Sequence, residues 1–153
     1  MRTTTIGYGD FHPFANIVHF TNRLLMEAEE HEKLIVAIDY DNTVFDTHDM
    51  GYDFEPLFAM LRCLRDKIYL IGWTASKPER YAEIRETFRE HGLYLDAINE
   101  NAPWIENRGP KIYANLYIDD RAGLLNAWFA LNALITAYGL GNPFGVEESR
   151  YGE

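Results

Sequence analysis

Leu34-Ile35-Val36-Ala37-Ile38-Asp39-Tyr40-Asp41-Asn42-Thr43 is the stretch on which the fold turns. Five apolar residues run without alternation into Asp-x-Asp-x-Thr, the pattern of a strand that is covered on both faces of a parallel sheet and ends at a ligand-binding edge. Asp39 and Asp41 are separated by one residue, so continued strand geometry aims both carboxylates to the same side. A loop starting at Tyr40 offers a backbone carbonyl as well. Together these oxygens make a ligand set for a hard divalent cation.

Downstream, Leu57, Met60, Leu61 and Leu64 follow the i, i+3, i+4, i+7 spacing of an amphipathic helix, with Pro56 tolerable in its first turn. Residues 68–73 read as a second strand ending in Gly72-Trp73-Thr74-Ala75-Ser76. Ser76-Lys77-Pro78-Glu79 has capping-box spacing and opens another helix, with Tyr81, Ile84 and Phe88 inward and Gly92 as its C-terminal stop. Thr74 therefore falls between a strand end and a helix N-terminus, where N–H groups and a hydroxyl favour an anion. Residues 93–98 predict a third strand, 99–103 a loop, and 116–120 a fourth strand ending in Asp119-Asp120. The alternation predicts an α/β fold: a doubly wound, Rossmann-like parallel sheet with helices on both faces. Between Thr43 and Thr74 there is no room for a separate cap domain, and the loop around His48 and Asp49 is short.

The chain of 153 residues divides into an N-terminal extension (1–33) packed on the core, a main domain (34–140) and an acidic tail (141–153). Ile17, Val18, Leu24, Leu25 and Ala28 give the extension a rough helical stripe. Residues 122–140 carry no charge, and the helix from about Gly123 to Tyr138 is apolar nearly all round. Asn126, Asn132 and Thr136 interrupt it, which argues for a buried helix and against a membrane span. Its outer face needs cover, from the N-terminal extension or from a second subunit in a homo-oligomer. A net charge of −10 argues against gripping long nucleic acid, because that grip depends on Lys and Arg. One cysteine, Cys63, and no apolar leader predict a cytoplasmic protein without disulfides.

Asp39-x-Asp41-x-Thr43, Thr74, Lys111 and Asp119-Asp120, in that order, resemble the four motifs of the haloacid-dehalogenase-like hydrolases. The resemblance spans about residues 34–125 and is nearest to small members without a cap, whose last motif reads Tyr-x-Asp-Asp-Arg, here Tyr117 to Arg121. Asn42 stands where that family often has glycine, and asparagine tolerates the left-handed conformation.

The resemblance implies phosphoryl transfer with Mg²⁺. Asp39 would attack phosphorus. Asp41 would protonate the leaving group and then deprotonate water. Thr74 and Lys111 would hold the non-bridging oxygens. Asp39, Asp41 (through its carbonyl), Asp119 and Asp120 would surround the metal. Thr43 and Asn42 would shape the loop against the substrate, with Lys77 and Arg108 as competing further contacts.

The residue chemistry points the same way. Like charges ~4 Å apart repel by ~4 kcal/mol at an effective dielectric of ~20, so four converging carboxylates call for a cation. All-oxygen ligands favour Mg²⁺ over zinc or copper. The expected function is hydrolysis of a small phosphorylated metabolite, a nucleotide or sugar phosphate. The alternatives are action on a nucleic-acid end, or a phosphate-binding scaffold without turnover.

Overall fold

The computed structural model describes residue 14 and residues 16–106 and 109–144. Four strands, β1 (Leu34–Ile38), β2 (Ile68–Gly72), β3 (Ala97–Ile98) and β4 (Leu116–Ile118), form one sheet in the order β3-β2-β1-β4. Every pairing is parallel. All five residues of β1 are buried, as their unbroken apolar run requires. The order reverses between β3 and β4: after stepping outward through β2 to β3, the chain crosses back to the other side of β1. A crevice at the strands' C-terminal ends follows from that reversal.

Four helices accompany the sheet: α1 (Ile17–Glu30), α2 (Glu55–Leu64), α3 (Tyr81–Glu90) and α4 (Leu124–Ala137). Leu57, Met60, Leu61 and Leu64 of α2 are all buried, and so are Ile84 and Phe88 of α3. These side chains share one cluster with Leu34, Val36 and Ile38, with Leu24 of α1, and with Ala127, Leu131 and Leu134 of α4. The other sheet face, Ile35, Ala37, Ile71 and Ala97, packs on Ala102, Ile105, Ile112 and Ala114. Among the described residues the second layer is therefore the irregular β3–β4 connection, where the sequence predicts helices on both faces. Small Ala and Ile side chains let that coil lie close to the sheet.

Strands β3 and β4 are shorter than the 93–98 and 116–120 spans read from hydrophobicity. Polar side chains carry the ladder just ahead of the first residue of each strand. Asp96 accepts from Leu70 N–H (2.7 Å) while its own N–H donates to Leu70 O (2.8 Å). Asn115, buried, does the same with Ile35: its Oδ1 accepts at 2.8 Å and its N–H donates at 2.8 Å.

Asn115 also docks α1. Its Nδ2 donates to Glu27 (2.9 Å), and Arg23 donates to its carbonyl (3.2 Å). Helix α1 lies against α4 and supplies part of the cover that α4 needs. Within the stripe expected for α1, Leu24, Leu25 and Ala28 pack on the core, whereas Ile17 and Val18 are exposed. Phe129 on α4 is also exposed. No helix among the described residues is long and apolar enough to cross a membrane.

Gly92 ends α3 as expected. It is left-handed (φ 74°), and Leu93 N–H closes onto Phe88 O at 3.0 Å. The Ser76 capping box does not form: a short 3₁₀ turn, Pro78–Arg80, precedes α3, and its N-cap Lys77 makes no side-chain capping bond.

Asn115→Ala should lower the unfolding free energy by ~2–3 kcal/mol, because it strands the buried Ile35 N–H and releases Glu27. Urea unfolding that shows a change below ~0.5 kcal/mol would refute this role.

Candidate active site

Three backbone bonds place the strand ends side by side. Asp39 N–H donates to Ile118 O (2.9 Å), Trp73 N–H to Ile38 O (2.8 Å) and Asn99 N–H to Gly72 O (2.9 Å). The residues that follow each strand, Asp39, Thr74, Asn99 and Asp119-Asp120, are brought to one edge. A cleft of ≈ 390 Å³ opens there, lined among others by Asp39, Asp41, Asn42, Thr74, Asp119 and Asp120.

Asp39, Asp119 and Asp120 each bring a carboxylate oxygen to within 4.8 Å of the other two. Thr43, fully buried, fixes two of them: its hydroxyl donates to Asp39 Oδ2 (3.0 Å) and accepts from Asp120 N–H (3.0 Å). Asp119 is steadied by Arg121 N–H on its Oδ1 at 2.8 Å. Burial pushes the Asp39 carboxyl up to about 6, partly offset by hydrogen bonds from Tyr40 N–H and Thr43, with the Asp119 and Asp120 charges adding to the rise. A site that holds three carboxylates this close, and lifts one of them so far, is built to receive positive charge. The donor set fits Mg²⁺: all the ligating atoms are oxygens, with room in the cleft for water and substrate. Asn42 Oδ1, buried and without a hydrogen-bond partner among the described residues, adds one more open acceptor at this edge.

The Asp41 carboxylate does not join the cluster. Strand β1 ends at Ile38, and the chain turns through Tyr40, whose carbonyl accepts from the N–H groups of Thr43, Val44 and Phe45. Asn42 takes the left-handed conformation (φ 58°) expected of a glycine substitute. The turn breaks the strand alternation that would have aligned Asp41 with Asp39. Asp41 instead accepts from Thr47 Oγ1 (2.9 Å) and from Arg80 Nη1 on both oxygens (2.9 Å each).

Thr74 lines the cleft and is nearly buried. Its backbone is clamped by Asn99, whose Oδ1 accepts from Thr74 N–H (2.9 Å) and whose Nδ2 donates to Thr74 O (2.8 Å). The Thr74 hydroxyl accepts from Ser76 N–H at 3.0 Å, which leaves its own proton available to an anion.

Lys111 does not line this cleft. Its ammonium sits over the Tyr117 ring, 5.3 Å from the centroid, in an adjoining cavity of ≈ 450 Å³ that shares Trp73 and Asp119 with the cleft. Cation–π attraction to Tyr117 accounts for that placement. Lys77 is exposed and not among the residues lining the cleft, and Arg108 lies outside the described residues.

Arg80, Thr47 and Asn99 are site residues that the sequence reading missed. Arg80 carried one faint signal, a cation one helical turn beyond the Thr74 strand end. Asn99 stood in the Asn99-Glu100-Asn101 loop that shares in the family resemblance, without an assigned role, and Thr47 carried no signal beyond loop composition.

No family model matches the chain, and no curated protein matches it. A solved structure of a conserved protein coded by a locus from Bacteroides thetaiotaomicron is similar to it, with 27% identity and a TM-score of 0.56 over 69% of this chain and 92% of that one. That likeness bears on the α/β architecture, and the name it carries states no activity.

Proposed function

We propose that this chain is a Mg²⁺-dependent phosphomonoester hydrolase of the haloacid-dehalogenase-like kind, acting on a small phosphorylated metabolite. The observation that carries the reading is the carboxylate triad Asp39, Asp119 and Asp120 at the end of the first strand, with Thr74 on the same cleft. Asp39, Asp119 and Asp120 would hold the ion, with the Asp41 carbonyl as a further ligand. When bound, Mg²⁺ supplies charge neutralisation for phosphate and carboxylates alike.

Asp39, whose Oδ2 accepts from Thr43, acts as the nucleophile. It forms a bond to phosphorus as the ester P–O bond breaks, giving an aspartyl phosphate and releasing the alcohol, to which Asp41 gives a proton. Water then attacks phosphorus, Asp41 takes its proton, and the Asp39–phosphorus bond breaks to free phosphate and restore the carboxylate. Thr74 donates to a non-bridging oxygen throughout. Lys111 reaches the same oxygens only by leaving the Tyr117 ring, so its part is charge neutralisation on substrate arrival. The negative net charge favours a small substrate over a long nucleic acid, and the single cysteine suits a cytoplasmic enzyme.

An aryl phosphate should be hydrolysed with Mg²⁺ and not in excess EDTA. Asp39→Asn should form no phosphoenzyme. Asp41→Asn should accumulate one, because loss of the base costs ~10²–10⁴-fold in dephosphorylation. Intact mass after mixing reads both outcomes, and an adduct in Asp39→Asn overturns the nucleophile assignment.

A stability measurement tests the cluster without turnover. The Asp39 carboxyl is raised from 3.8 to about 6 in the folded chain, so its ionisation removes stability as pH climbs through that window and costs nothing below it. Full expression of that rise corresponds to ~3 kcal/mol, and partial solvent access reduces it to ~1–2 kcal/mol. Metal-free Asp39→Asn should therefore be more stable than the parent at pH 8 by ~1–2 kcal/mol, with the gap gone at pH 4 and narrowed by Mg²⁺ at pH 8. Urea unfolding in EDTA that shows equal gaps at both pH values would refute the cluster's electrostatics.

A further inference from the structure

Arg80 is held from several sides. Its Nη1 donates to both oxygens of Asp41 and to Ser76 Oγ (3.0 Å), and its Nε lies 3.6 Å from Glu83. The guanidinium carbon sits 5.1 Å from the Tyr40 ring centroid and 5.8 Å from that of Phe45. Those two rings are themselves stacked, 5.0 Å apart and 7° from parallel. Tyr40 is anchored in turn through its hydroxyl to Thr87 on α3 (2.9 Å). The residue that fixes Asp41 is thus fixed by the turn before Asp41 and by the helix after Thr74.

We infer that Arg80 is a positioning residue for Asp41: it holds the carboxylate in one orientation at the cleft and keeps it out of the Asp39–Asp119–Asp120 cluster. The inference rests on the phosphatase reading for its kinetic consequence and on the geometry alone for its metal-binding consequence. Three carboxylates already share the cluster edge, and Asp41 is tethered to them by a short turn. Without its cation, Asp41 keeps only the Thr47 hydroxyl on its Oδ1 (2.9 Å), and a bound ion would draw its carboxylate in as a fourth anionic ligand, lost as a proton carrier. Arg suits this task better than Lys, because its planar group bonds a carboxylate and stacks on the rings at the same time.

The experiment compares Arg80→Met, Arg80→Lys, Asp41→Asn and the Arg80→Met/Asp41→Asn pair. With an aryl phosphate, Arg80→Met should lose ~10²-fold in kcat with little change in KM, the scale of a misplaced catalytic group. Arg80→Lys should fall between it and the parent, and guanidinium in the buffer should restore part of the loss. In the Asp41→Asn background the same substitution should cost less than ~2-fold, since the residue it positions is already gone.

Mg²⁺ titration by calorimetry supplies the readout that needs no turnover. Affinity should rise ~10-fold in Arg80→Met, and the rise should vanish in the double variant. Parental kcat in Arg80→Met, an equal loss in both backgrounds, or unchanged Mg²⁺ affinity would overturn the inference. If Arg80→Met does not fold, parental kcat and Mg²⁺ affinity in Arg80→Lys would do the same. An inactive parent would reject the phosphatase reading instead, and the calorimetric comparison would still decide the role of Arg80.

Discussion

The parallel register between β1 and β4 is the constraint on which the site depends. One hydrogen bond, from Asp39 N–H to Ile118 O, forces the residue after β1 to lie beside the residues after β4. Parallel strands end at the same edge, so carboxylates distant in sequence meet there whether or not their charges favour it. Thr43 shows how the chain manages the meeting: one hydroxyl, buried, serves both sides of the junction. Burial raises the Asp39 carboxyl, and the neighbouring Asp119 and Asp120 charges add to the rise.

Asp39 and Asp41 are parted in space by a change in backbone direction. In continued strand geometry they would face the same way. The turn at Tyr40 and the left-handed Asn42 end that geometry within two residues. Asp39 stays with the sheet and its acidic neighbours, while Asp41 is handed to the start of α3 through Arg80 and to the following loop through Thr47. That loop has its own anchor, Asp46, whose carboxylate accepts from the N–H groups of Met50, Gly51 and Tyr52 and is held below the usual carboxylate range by them. The chain thus braces the loop that follows Asp41.

The same economy appears at the opposite end of the sheet. Asp96 and Asn115 are polar residues that act as ladder rungs just before β3 and β4 begin. Asn115 adds a second function by binding Glu27 and Arg23 of α1. Attachment of the N-terminal helix and the start of β4 therefore share one residue. A buried amide that bonds both Ile35 N–H and Glu27 is costly to replace, because a substitute lacking either group strands at least one of them.

The sequence alone determined the elements whose signals are local. An unbroken apolar run makes β1 a buried strand, 3.6-residue spacing marks the inward faces of α2 and α3, and Gly92 stops α3, because each depends on neighbours within a few residues. It also determined that Asp39, Thr74 and Asp119-Asp120 stand at strand ends, and from that their convergence in any parallel sheet. Only the tertiary structure decided which side chains face one another across long separations. Asp41 meets Arg80 across 39 positions and Thr74 meets Asn99 across 25, and no periodicity encodes either pairing. It decided that Lys111 rests on Tyr117 beside the cleft and that a coil covers the second sheet face, because a crossover needs apolar side chains at the right spacing against the sheet and does not need a helix to carry them.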